Sequence, residues 1–184
     1  MKLFTIGFTK TTAEDFFKRL RDAGVRKIID VRLNNVSQLS GFAKRDDLAY
    51  FAKEICDIEY IHVPNFAPTK EMLGAYRKKQ TTWQQYENQF HDLISKRKIE
   101  EIEKTKLDNA CLLCSEDKPH HCHRRIVSDY LNRKWGGIAV KHLYFINQIA
   151  LTDLPPAPIS HPFRLGHYTT LRRQRENLRG GSDK

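Results

Sequence analysis

Apolar positions along the chain fall into short runs separated by stretches of helical period. Leu3 to Phe8 is a short apolar run beside Gly7 and Thr9 and predicts a first strand. Thr11-Thr12-Ala13-Glu14 follows as a capping-box pattern, in which a hydroxyl accepts from a backbone amide of the first turn. Phe16, Leu20 and Ala23 then share one helical face, and Gly24 ends the segment. Lys27 to Val31 predicts a second strand. Its apolar residues are consecutive rather than alternating, as they are where both faces of a parallel sheet are covered. Leu33 to Ala43 is polar and has no period, so it reads as a loop. Asp46 or Asp47 caps a helix that buries Leu48, Phe51 and Ile55, and Glu59 to Val63 gives a third strand closed by Pro64.

The second half continues the alternation. Asn65 to Thr82 reads as a long basic connection, with Tyr76 set among Lys70, Arg77, Lys78 and Lys79. Trp83, Tyr86, Phe90 and Leu93 or Ile94 form a helical stripe that Ile99 and Ile102 continue towards Leu107, beyond a break near Ser95 to Lys98. Ala110 to Cys114 predicts the fourth strand, and a helix from about Cys122 to Lys134 turns Ile126, Val127, Tyr130 and Leu131 inward. Gly136-Gly137 ends it, and Ile138 to Tyr144 is a fifth strand; Phe145 to Leu151 suits a strand continuation or a short helix. The order predicts an α/β fold: a mostly parallel, doubly wound, Rossmann-like sheet of about five strands, with helices on both faces and right-handed crossovers. Residues 1–151 make this single domain. Leu154-Pro155-Pro156-Ala157-Pro158 is a stiff linker within the C-terminal stretch 152–184, a tail rich in arginine (Arg164, Arg172, Arg173, Arg175, Arg179).

Charge adds a partner to this picture. Thirty-two Lys and Arg against 22 Asp and Glu give a formal charge of +10. That balance points to a nucleic acid or nucleotide partner, or else to a solvated basic face. No apolar run approaches the ~20 residues of a membrane span, and the N-terminus lacks the pattern of a signal peptide. The expected location is the cytoplasm, with no membrane partner. Four cysteines in that compartment are thiols or metal ligands rather than a disulfide framework.

In a doubly wound sheet the ligand sits outside the carboxyl ends of the strands. Here those ends carry Gly7-Phe8-Thr9, Asp30-Val31-Arg32, His62-Val63-Pro64 and Cys114-Ser115-Glu116. Ala110 to Arg125, ACLLCSEDKPHHCHRR, is the stretch densest in chemistry. Cys111, Cys114, Cys122 and His123, or His120 or His121, resemble a zinc ligand set. A strand, however, points Cys111 and Cys114 to opposite faces, so no metal is assigned, and a looser site of Cys114, Cys122 and a histidine stays open. A phosphatase loop needs an arginine six positions after its cysteine, where His120 and Ser128 stand instead. The Asp-Val-Arg strand end is similar to that of rhodaneses, without a cysteine in their loop arrangement.

The spacing fits an anion site better. Cys122-His123-Arg124 opens a helix, whose free amides favour an anion. Arg32 and Arg124 are two guanidinium groups suited to a phosphate or carboxylate, with Cys122, Ser37 and Thr9 completing the ligand-binding set. Glu116 and Asp30 are the carboxylates for proton transfer or a sugar hydroxyl, and Cys114 and His123 are an interacting thiol–imidazole pair. The competing reading is structural: Arg32 and Arg124 pair Asp30 and Glu116 in a buried network that pins the strand ends. Cys56 and Cys111 read as small buried residues and Trp83 and Tyr86 as core; His62 suits core or ligand, and Tyr76 can stack on a base. No cofactor is expected.

Thr5-Ile6-Gly7, Asp30-Val31-Arg32, Ser37 with Gly41-Phe42, and Tyr60-x-His62-x-Pro64 are distinctive pieces. Leu112-Leu113-Cys114-x-Glu116-x-x-Pro119-x-x-Cys122-His123-Arg124 is the most specific. On these the chain resembles the domain-of-unknown-function family 488, from about residue 3 to 143. The resemblance implies one α/β domain with a site built from Asp30, Arg32, Cys114, Glu116, Cys122, His123 and Arg124, and no established reaction. The chain departs from the pattern in two loops. Asn35 and Gln38 stand where the family usually has proline and a second arginine, and Asn65-Phe66-Ala67 replaces Leu-Gly-Gly. The expected function is an enzyme acting on a phosphate-bearing ligand, a nucleotide or nucleic acid. The alternatives are a non-catalytic nucleic-acid-binding module using its basic surface and tail, and a thiol or zinc protein.

Overall fold

Cys111 and Leu113 pack with one cluster of buried side chains, and Leu112 and Cys114 with another. The fourth strand is apolar throughout because helices cover both sides of it. The computed structural model describes residues 1–36 and 40–144. Ser37, Gln38 and the stretch from Phe145 onward, with the Pro-rich linker and Arg-rich tail, lie outside the described residues.

The chain runs β1 (Lys2–Gly7), α1 (Ala13–Asp22), β2 (Lys27–Asp30), α2 (Arg45–Cys56), β3 (Glu59–His62), α3 (Lys70–Arg77), α4 (Trp83–Lys96), α5 (Lys104–Leu107), β4 (Ala110–Cys114), α6 (His123–Trp135) and β5 (Ala139–Leu143). The five strands form one sheet, in the order β3-β2-β4-β1-β5, and every pairing is parallel. The fold is the doubly wound α/β architecture that the sequence predicts. Phe16, Phe17 and Leu20 of α1 and Leu48 and Ala52 of α2 share one core with Ile28 and Leu113. Tyr86, Phe90 and Ile94 of α4 and Ile126, Val127 and Leu131 of α6 share the other with Leu3, Ile29 and Leu112. Connections from β1 and β2 therefore leave to one face, and those from β3 and β4 to the other. The connections leaving the adjacent strands β2 and β4 go to opposite faces, the arrangement that opens a crevice at their carboxyl ends.

Local signals explain most of the elements, and three features differ from expectation. The cap of α1 is Thr12, whose hydroxyl accepts from the Asp15 amide at 3.1 Å, one residue later than the Thr11 pattern. Ile55 is 49% exposed: the buried stripe of α2 runs through Leu48 and Ala52 and stops short of the last turn. The basic connection contains a helix, α3, started by Thr69, whose hydroxyl accepts from the Met72 amide. The long helical pattern does divide within the expected break, after Lys96, because Lys98 adopts a left-handed conformation (φ 49°) that ends α4.

One glycine fixes the site's edge. Gly7 pairs with Cys114 at the ends of β1 and β4. A Cβ on Gly7 would lie 1.7 Å from the Glu116 carbonyl oxygen, so only glycine lets the chain after β4 fold back across β1. Gly7→Ala forces backbone from backbone, and about 1–3 kcal/mol or more of stability is lost. Gly74→Ala in α3, where an added methyl meets nothing within 4 Å, is neutral or stabilising. Urea unfolding of the two variants beside the wild type measures the contrast.

Candidate functional site

Asp30 ends β2 and is fully buried, with Arg32 beside it at 2% exposure. The Arg32 guanidinium grips the carboxylate in fork geometry, Nε to Oδ1 at 2.8 Å and Nη2 to Oδ2 at 2.7 Å, and Nη1 donates to the Ala43 carbonyl at 2.9 Å. The Phe8 ring lies 5.1 Å from Arg32 Cζ. The Tyr60 hydroxyl donates to Asp30 Oδ2 at 2.5 Å, and His62 Nε2 donates to the Arg32 carbonyl at 2.9 Å. Burial, and then the Asp30 carboxylate it serves, push the Tyr60 hydroxyl's pKa well up. Asp30 is thus saturated by its own neighbours, and the competing reading of it as a pinned structural carboxylate describes its contacts.

Arg124 does something different. It is buried in α6, and its Nη1 donates to the Glu116 carbonyl and its Nη2 to the Asp117 carbonyl, the latter at 3.0 Å. Nη1 also reaches Cys122 Sγ at 3.4 Å, and Nε is buried without a partner. Arg124 does not line the crevice, and it pairs the backbone of Glu116 rather than its carboxylate. The reason is geometric: Cys122-His123-Arg124 opens a helix, and successive residues of a helix start point in different directions. Thr9 completes the clamp, its amide and hydroxyl both donating to the Ser115 carbonyl, at 3.1 and 2.8 Å. The carbonyls of Ser115, Glu116 and Asp117 are all held, and the Glu116 carboxylate is left exposed, without a partner among the described residues.

The clamp brings Cys122 and His123 against Cys114. One donor atom from each of the three buried residues lies within 4.8 Å of the others. His123 Nδ1 is 3.6 Å from Cys114 Sγ, and Nε2 donates to the Val31 carbonyl at 2.8 Å. The Cys122 thiol, then the His123 ring and Arg124, hold the Cys114 thiol well below its ordinary range, against burial. Burial, and then Cys114, push Cys122 up. Burial disfavours the His123 cation, but Cys114 beside it and the Val31 carbonyl outweigh that and raise its pKa. Cys111 lies on the other face of β4, where burial raises its thiol.

A cavity of about 1070 Å³ opens above this cluster. Its floor includes Arg32, Cys114, Glu116, Cys122 and His123, and its far wall is α3 with the start of α4. Arg97 fastens that wall, Nη1 donating to the Asn65 and Ala67 carbonyls at 2.9 and 2.6 Å. Tyr76, Trp83 and Tyr86 pack together with ring centroids 5.1 to 5.6 Å apart, and His121 lies 4.9 Å from Trp83. Lys70, Arg77 and Lys78 line the cavity, exposed and with no ion-pair partner among the described residues. The structure thus gathers five of the expected residues, holds Asp30 behind Arg32 and spends Thr9 and Arg124 on the loop; Ser37 is outside the described residues. The wall residues are the ones that the sequence did not assign to the site. Their signal was the basic run around Tyr76, but Trp83 and Tyr86 carry a helical stripe that reads as core.

A Cys-His cluster on the carboxyl edge of a doubly wound parallel sheet, beneath a basic and aromatic wall, defines a class of α/β domain. The chain belongs to the family described as Domain of unknown function DUF488, whose model matches residues 12–131. No curated protein and no solved structure matches it. No helix among the described residues is long and apolar enough to cross a membrane.

The Asp30–Arg32 pair sets a stability test. Asp30→Asn leaves a buried guanidinium without its anion, and the expected loss in urea unfolding is about 3–5 kcal/mol. Tyr60→Phe removes one hydrogen bond from an anion that keeps its arginine, for a loss of about 1.5–3 kcal/mol. Because the folded pKa of Tyr60 is raised, its contribution is complete below the ordinary tyrosine value of 10.0 and is lost as pH climbs beyond it. Wild type therefore loses stability more steeply than Tyr60→Phe in that alkaline range.

Proposed function

We propose that the protein is an enzyme acting on a phosphate-bearing ligand, a nucleotide or a nucleotide exposed on a nucleic acid, held in this cavity. One observation carries the reading: a single cavity joins a cationic and aromatic wall to a Cys-His-Glu floor. Tyr76 and Trp83 offer faces for a base, and such stacking contributes about 1–3 kcal/mol per base. Lys70, Arg77 and Lys78 supply charges with no ion-pair partner among the described residues, so phosphate oxygens can claim them. Arg32 is a different kind of contact. Its charge is matched by Asp30, but one N–H on each terminal nitrogen is left to donate to a ligand oxygen. Glu116 is a carboxylate at the cavity without a partner among the described residues, a group for proton transfer or for a sugar hydroxyl. The formal charge of +10 favours approach of such an anion.

Fluorescence of Trp83 tests this directly. Nucleoside monophosphates and a short single-stranded oligonucleotide are expected to quench it, and Trp83→Phe to remove the quenching. Lys70→Ala with Arg77→Ala weakens binding about tenfold and lowers the salt slope by about one per lost phosphate contact. Deleting residues 152–184 leaves this binding in place, and Glu116→Gln keeps binding while abolishing turnover. Binding that survives the wall variants and vanishes with the tail, with Glu116→Gln silent, would instead identify a non-catalytic nucleic-acid-binding module.

A further inference from the structure

We propose that Cys114, Cys122 and His123 form a three-ligand transition-metal site, zinc by chemistry, whose fourth position opens on the cavity. The donor set is two sulfurs and one imidazole nitrogen, all buried and all within 4.8 Å of one another. In a tetrahedral zinc site, with Zn–S about 2.3 Å and Zn–N about 2.05 Å, a sulfur and a nitrogen ligand stand about 3.6 Å apart. Cys114 Sγ and His123 Nδ1 are separated by 3.6 Å. That separation suits one edge of such a tetrahedron and, with no metal bound, a thiol–imidazole hydrogen bond.

The surroundings are those of a ligating histidine. Its Nε2 donates to the Val31 carbonyl, which fixes the tautomer and leaves the Nδ1 lone pair facing the two cysteines. Arg124 Nη1 donates to Cys122 Sγ at 3.4 Å, an outer contact that orients the second sulfur. No fourth side-chain donor joins the cluster among the described residues, and all three ligands line the cavity. Two cysteines, one histidine and an open place is the donor count of a catalytic zinc site rather than a closed structural one. The open place would take water or a ligand oxygen. Thiolate donors select zinc over magnesium or calcium, which prefer oxygen. The Cys111-x-x-Cys114 spacing does not carry the site, because the two cysteines diverge across β4 and the second sulfur comes from the start of α6 instead.

The site rests on these three side chains and not on what the cavity binds, so its test is run without nucleotide. The full chain is purified without chelator from zinc-supplemented cells, analysed for metal, and then titrated with Co²⁺ after the metal is removed. One zinc per chain is expected, and a one-to-one cobalt complex with thiolate charge-transfer and tetrahedral absorption bands. Chelation should raise the count of thiols open to a thiol reagent by two. Cys122→Ser and His123→Gln should lose or shift the cobalt bands, whereas Cys56→Ser, on the far side of the sheet, should keep them. Circular dichroism shows whether each variant is folded; if one is not, the wild-type bands and thiol count still decide. No bound metal and no thiolate bands would overturn the site. So would a Cys114–Cys122 disulfide in the purified protein, or bands that persist in folded Cys122→Ser. Trp83 quenching by nucleotide, measured separately, shows whether the cavity reading stands or falls on its own.

Discussion

A guanidinium buried without a carboxylate beside it can be held only by dipoles and by softer anions. Arg124 is in that position: its partners are the carbonyls of Glu116 and Asp117 and the sulfur of Cys122. The loop after β4 curls over the end of β1 because those carbonyls, and that of Ser115, must turn towards Arg124 and Thr9. Gly7 leaves the space for it. With the loop so held, the first turn of α6 meets the last residue of β4, and Cys122 and His123 are delivered to Cys114. Remove Arg124 and the two halves of the site have no common anchor.

Arg32 and Arg124 show how differently one residue type can be used at the same sheet edge. Arg32 has a carboxylate at hydrogen-bond distance on two nitrogens, so the pair is neutral. Replacing either member leaves a buried charge, which is why the pair is costly to break even if its net contribution is small. Arg124 is not neutralised by any carboxylate among the described residues, and it biases the nearest titratable sulfurs towards thiolate. The cysteines therefore sit where a positive charge is already installed. That electrostatic bias serves a metal ligand and a free thiolate equally.

The strands, the parallel order and most helices were legible because each rests on local information: consecutive apolar residues, a threonine cap, a glycine stop. Within the site, Cys114, Glu116, Cys122 and His123 were legible because strand-end and helix-start residues of a doubly wound sheet must face the same crevice. Arg124, expected at the crevice, turns to the loop backbone instead, because one step from His123 on a helix start changes the direction of the side chain. The α3–α4 wall was missed for a different reason. Its role depends on two segments packing through Tyr76, Trp83 and Tyr86, and a stripe that buries against a neighbour has the same period as one that lines a cavity. The Tyr60–Asp30 bond was beyond local reading too, since it joins β3 to β2 across register.

The contact that ties these parts into one site is the bond from His123 Nε2 to the Val31 carbonyl. Val31 stands between Asp30 and Arg32, so the imidazole that faces Cys114 is braced by the same short segment that carries the buried ion pair. The Arg32 carbonyl in turn accepts from His62 at the end of β3. A hydrogen-bonded path thus runs from β3 through β2 to α6 and ends at the cysteines. The ion pair and the Cys-His cluster therefore share one piece of backbone, the Asp30-Val31-Arg32 segment, so the residues that pin the end of β2 also orient the imidazole.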